Sequence, residues 1–89
     1  MKPNVIVINP RDNVAIALED IPEGAVVALP DNTEFAAIEN IPYSHKVALE
    51  DISQGMEARK YGETIGFALS EIRKGAWVHT HNLTVEGKP

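Results

Sequence analysis

A chain of 89 residues with 44% hydrophobic content is enough for one small domain with a thin stability margin. Its net charge of −5 and scattered Lys and Arg lack the electrostatic footprint of a nucleic-acid binder, and with no cysteine there is neither a disulfide framework nor a thiolate metal site. The longest apolar runs, "VIVI" and "VAIAL", are too short to cross a bilayer, and "MKPNVIVINPRDN" lacks a signal-peptide layout; the expected location is cytoplasmic, away from any membrane.

In chain order, the strand-like "NVAI" leads into "ALEDIPEG" (17–24) and then "AVVAL". The segment "HKV" leads into a second version of the phrase, "ALEDISQG" (48–55). After "KYGETIG" (60–66), which overlaps the next apolar stretch "TIGF", comes a third, "ALSEIRKG" (68–75), followed by "AWVHTHNL" (76–83). The spacings of 31 and 20 residues are too unequal for a solenoid. Each phrase reads as a short turn between strands. Leu-x-x-Ile puts two apolar groups on one side of a single turn, and Gly24, Gly55 or Gly75 then reverses the chain with a positive φ. No window carries an apolar stripe long enough for a full helix, and six prolines punctuate the chain. The expectation is a mostly β domain of about six to eight short strands over residues 1–83, with 84–89, "TVEGKP", as a C-terminal tail.

The acidic residues of the phrases, Glu19, Asp20, Glu50, Asp51 and Glu71, read as turn and cap residues rather than paired catalytic carboxylates. The chemistry points to the histidines. In a strand, Trp77, His79, His81 and Leu83 would share one face, so His79 and His81 could converge on one metal ion or one anionic ligand. His45 could join from an adjacent strand, Asn82 could supply an amide, and Glu57 or Glu63 a carboxylate. The competing reading is of surface histidines on an edge strand, since His-x-His is a weak pattern. In "KYGETIG", Gly62 and Gly66 allow a tight turn and a close backbone approach; Lys60 could hold a carboxylate and Tyr61 could donate a hydrogen bond or proton. The competing reading there is a plain β-turn.

Taken together, "IPYSHKVALEDI", "KYGETIG" and "AWVHTHNL", in this order and at these spacings, resemble the N-terminal domain of altronate and galactarate dehydratases. The resemblance runs from "DNVAIALEDI" to "HTHNL" and extends to the alpha subunit of (2R)-sulfolactate sulfo-lyase. It implies a β-clip fold of the SAF group. It also implies the small subunit of a lyase that removes water from a sugar acid to give a 2-keto-3-deoxy acid, working with a separately encoded large dehydratase-type subunit and inactive alone. Sulfite elimination from sulfolactate is the alternative chemistry. A non-catalytic SAF module binding carbohydrate or an assembly partner is the alternative of another class. Ser44 stands where the family often has Gly. The implied site residues are His79, His81 and His45 for catalysis, Lys60, Tyr61 and Asn82 for substrate, and His79 and His81 for a divalent metal. Imidazole and oxygen ligands favour Fe²⁺ or Mn²⁺ over Mg²⁺. A homo-oligomer is a possible state of the isolated chain.

Overall fold

The computed structural model describes residues 2–85. Among them are nine short strands and no helix: β1 (Val5–Ile6), β2 (Val14–Ala17), β3 (Val26–Ala28), β4 (Glu34–Ala36), β5 (Lys46–Ala48), β6 (Glu57–Lys60), β7 (Glu63–Ala68), β8 (Trp77–Val78) and β9 (Leu83–Thr84). This is the mostly β, SAF-like architecture expected, with slightly more and shorter strands. The sheet runs to Thr84, which pairs with Phe67, one residue past the boundary expected at 83. The rest of the expected tail, from residue 86, lies outside the described residues. No helix among the described residues is long and apolar enough to cross a membrane.

The phrase occurs four times, not three. "AIENIPYS" (37–44) is a further copy, disguised by Ile38 in place of Leu and Ser44 in place of Gly. The copies work in reciprocal pairs. Ile21 and Ile41 exchange backbone hydrogen bonds at 2.8 and 2.7 Å, and Ile52 and Ile72 do the same at 2.7 and 2.8 Å. The last residue of each phrase donates its N–H to the first residue of its mate: Gly24 to Ala37, Ser44 to Ala17, Gly55 to Ala68 and Gly75 to Ala48. In three of the four copies the fourth position accepts across the pair. Asp20 Oδ1 takes the Tyr43 N–H, Asn40 Oδ1 that of Glu23 and Asp51 Oδ1 that of Lys74, each at 2.8 Å. These side chains are turn caps, as their type suggests. Gly24, Gly55 and Gly75 have φ of 82–89°, and Ser44 reaches the same left-handed region at 67°.

The pairing sets the layers. β1-β2-β5-β8 form a central antiparallel sheet, β3-β4 a hairpin, and β6-β7-β9 a second sheet. Alternation along the central sheet sends Ala15, Ala17, Val47 and Trp77 to one face and Val14, Ala48 and Val78 to the other. The first face packs with Ile21, Val27, Ala37 and Ile41, and the second with Ile52, Ala58, Ala68 and Ile72. A sheet covered on both sides explains why its strands are apolar apart from Lys46. The first phrase position is always a fully buried Ala, because the chain crosses closely there, and the fifth is always a buried Ile.

Candidate functional site

The strand carrying Trp77 ends at Val78, and residues 79–82 turn back towards β7. The cause is Asn82. Its Oδ1 accepts the His79 N–H at 2.9 Å, its Nδ2 donates to the Trp77 carbonyl at 2.8 Å, and its own N–H bonds to the His79 carbonyl at 3.2 Å. Asn82 is nearly buried, and its amide is committed to this turn. Strand alternation through His81, expected from the His-x-His spacing, is therefore replaced by a side-chain-capped turn. Gly66 on β7 helps to seat it: a Cβ there would lie 2.7 Å from the Thr84 carbonyl oxygen and 2.9 Å from Leu83 Cγ.

The turn nonetheless gathers the rings. His79 stacks on Trp77 with centroids 5.3 Å apart and an interplanar angle of 9°. The His81 ring is 4.8 Å from Trp77, and the His45 ring is 4.7 Å from His79. Trp77 is half-buried, while His79 and His81 are exposed. Trp77 Nε1 donates to His45 Nδ1 at 3.0 Å, a geometry that in a neutral imidazole places the proton on Nε2. Trp77 is thus part of the cluster and not only core.

"KYGETIG" forms the β6–β7 hairpin. Lys60 pairs with Glu63 across a two-residue turn in which Tyr61 (φ 60°) and Gly62 (φ 74°) are both left-handed, the type I′ geometry. Asp12 holds it. Its Oδ1 accepts the Gly62 N–H at 2.8 Å, and its Oδ2 accepts those of Tyr61 and Asn9 at 3.1 Å. Tyr61 is 60% exposed, so the strain at its backbone presents a phenol to solvent rather than to the core. Lys60 Nζ lies 4.9 Å from the Tyr61 ring centroid. The register shifts between Ala58 and Arg59, which leaves Ile65 as the extra residue of a bulge.

Between this hairpin and the histidine turn lies a cavity of about 260 Å³ lined by Lys46, Ile65, Val78, His79, Thr80, Leu83 and Val85. Other clefts are larger, about 380 Å³ beside Val7 and Pro10 and about 410 Å³ beside Lys2 and Leu18, but neither is lined by a histidine. His79 belongs to both the ring cluster and the Lys46 cavity.

Residues 3–86 match the family described as Altronate/galactarate dehydratase SAF domain. The chain belongs to that family. The SAF domain is also 44% identical over 77 residues to altronate dehydratase of Escherichia coli (strain K12). The match covers 86% of this chain but 15% of that protein, so the SAF domain spans only a small part of its relative's length.

Among the described residues of the SAF domain, no group of three or more His, Asp or Glu is placed to hold a metal ion. His45 Nδ1 is engaged with Trp77. The described donors of the SAF domain therefore do not by themselves make up a metal centre. Glu57 is hydrogen-bonded to Thr64 Oγ1 at 2.9 Å and lies 3.6 Å from the Arg59 guanidinium, so it is committed within its own sheet. Two residues escaped the sequence reading. Lys46 was hidden inside "HKV", where it reads as an ordinary strand lysine. Asp12 acts 49 and 50 residues away from itself in sequence, on Tyr61 and Gly62, and no local pattern marks that.

Proposed function

We propose that this chain is the SAF part of a hydro-lyase that dehydrates a sugar acid of the altronate or galactarate type to a 2-keto-3-deoxy acid in the cytoplasm, working with a large dehydratase-type subunit. The observation that carries the reading is His79: an exposed imidazole stacked on Trp77 and close to His45, on a chain of the dehydratase family.

In such a reaction a proton leaves the carbon next to the carboxylate, the β-hydroxyl departs with an added proton as water, and the resulting enol becomes the keto acid. Hydroxide is a poor leaving group, so a general acid is needed, and imidazole suits neutral pH. His79 is assigned that role because its exposed ring is held between Trp77 and His45. His45 assists as a neutral Nε2–H donor, a form that stabilises developing negative charge without itself losing a proton. Tyr61 and Lys60 meet the substrate from the hairpin, and His81 flanks Trp77. The base that takes the α-proton belongs to the large subunit. A divalent ion, Fe²⁺ or Mn²⁺ in preference to Mg²⁺, would likewise be held mainly there, with at most one imidazole of this chain as a ligand, and no step assigned here runs through it.

The test is to assay the chain alone and reconstituted with the dehydratase-type subunit on altronate, galactarate and sulfolactate. The reconstituted enzyme should turn over a sugar acid, the chain alone should not, and His79→Ala should cut turnover by about 10² or more without loss of assembly. Turnover of sulfolactate alone would move the assignment to sulfite elimination. Near-native rates in His79→Ala would remove the histidine from the chemistry.

A further inference from the structure

Lys46 sits on β5, an inner strand of the central sheet, cross-paired with Ile16 on β2 and Val78 on β8. It extends the face that Val14, Ala48 and Val78 bury, so its stem leaves an apolar core at the edge where Ile65 and Leu83 pack. Its surroundings do not suit a cation. The ammonium is partly desolvated, and the charge it feels is that of Lys60, so its pKa is held below the ordinary value first by burial and then by that like charge. Among the described residues no carboxylate contributes there. Arg59–Glu57, the ion pair described above, lies elsewhere in the same sheet as Lys60. A partly desolvated lysine with no counter-charge among the described residues is costly for folding alone.

The cavity beside it supplies the rest of a binding site. Its walls are apolar, from Ile65, Val78, Leu83 and Val85, and its polar residues are few: Lys46, His79 and Thr80. Apolar walls with a few convergent polar groups are the usual build of a small-molecule site. Each part has a structural cause. The β6–β7 bulge frees Ile65, the Asn82-capped turn places His79 and Thr80, and Gly66 lets Leu83 approach.

We propose that Lys46 anchors a carboxylate in this cavity, with the ligand's apolar parts against Ile65, Leu83 and Val85. This rests on the proposed function for the identity of the ligand as a sugar acid, but not for the anion subsite itself.

The experiment is a titration of the full chain followed by backbone and lysine-side-chain NMR, at constant ionic strength. The probes are galactarate, the uncharged galactitol and the simple dicarboxylate succinate. Galactarate should shift the Lys46, Val78 and Thr80 signals saturably and galactitol should not. Lys46→Met should weaken binding at least tenfold with signal dispersion intact, and Lys46→Arg should restore part of it. Equal response to succinate supports the carboxylate subsite while counting against a sugar acid as its ligand, which separates this inference from the functional reading. Binding unchanged in Lys46→Met, a response to galactitol equal to that of galactarate, or no saturable shift with either acid overturns it.

Discussion

The indole N–H of Trp77 points at Nδ1 of His45, 3.0 Å away, across 32 residues of sequence. A hydrogen bond into Nδ1 selects one neutral tautomer, with the proton on Nε2. Long-range ¹H–¹⁵N NMR should find that tautomer for His45 and mixed tautomers in Trp77→Phe. A proton on Nδ1 in the native chain would contradict the arrangement. In the reconstituted enzyme, Trp77→Phe should lower turnover about tenfold, an amount typical of losing orientation rather than the reacting group itself.

Asp12 accepts backbone N–H groups from Asn9, Tyr61 and Gly62 and is only 8% exposed. Asp12→Ala leaves those donors without their acceptor. The expected loss is about 2 kcal/mol, roughly a 10 °C drop in Tm for a domain of this size. Calorimetry checks it, and amide exchange should quicken first at Tyr61 and Gly62. A Tm within 2 °C or so of the parent would show that the hairpin holds itself, by the same scale.

Tyr61 and Ser44 are residues with a Cβ in left-handed backbone, which costs about 1–2 kcal/mol where glycine is comfortable. Tyr61→Gly should stabilise the domain by up to about 1 kcal/mol, since glycine's extra unfolded entropy returns part of the gain. If the phenol meets substrate, activity falls in the same variant that gains stability. Ser44→Gly should stabilise similarly and Gly24→Ser should destabilise by about 1 kcal/mol, because the two positions are equivalent in the paired phrases. Urea midpoints with unchanged m-values provide the measurement.

Lys46 links stability to pH. Its folded-state pKa lies below the ordinary value of 10.5, so the unfolded chain binds this proton more tightly than the folded one. The folded state therefore carries a penalty at neutral pH, relieved as pH rises through the window that ends at 10.5. Lys46→Met should raise Tm at pH 7 by less than about 4 °C, as expected for a half-exposed charge worth under 1 kcal/mol. The variant should also lose that part of the alkaline gain. A lower Tm would mean that Lys46 has a stabilising partner in solution.

Much of the architecture was legible in the residues. Repeated Leu-x-x-Ile-x-x-Gly frames, the lack of a helical stripe and the glycines of "KYGETIG" are local signals: each acts through the backbone within a few residues, so composition and spacing carry them. The fourth phrase was missed for the same reason. Ser44 adopts a glycine's conformation only because Ala17, distant in sequence, accepts its N–H at 2.8 Å.

The neighbourhood of the histidines was decided by the tertiary structure. Spacing alone placed His79 and His81 on a strand face, but Asn82 spends its side chain on closing a turn, and that energy outweighs continuation of a two-residue strand. His45 meets Trp77, and Lys46 lies opposite Val78, because β5 and β8 pair in one particular register. A strand pattern reports which side chains share a face. Which strands become neighbours, and therefore which charges and rings meet, depends on how four phrases pair to bury Ile21, Ile41, Ile52 and Ile72, a choice made by packing between distant segments.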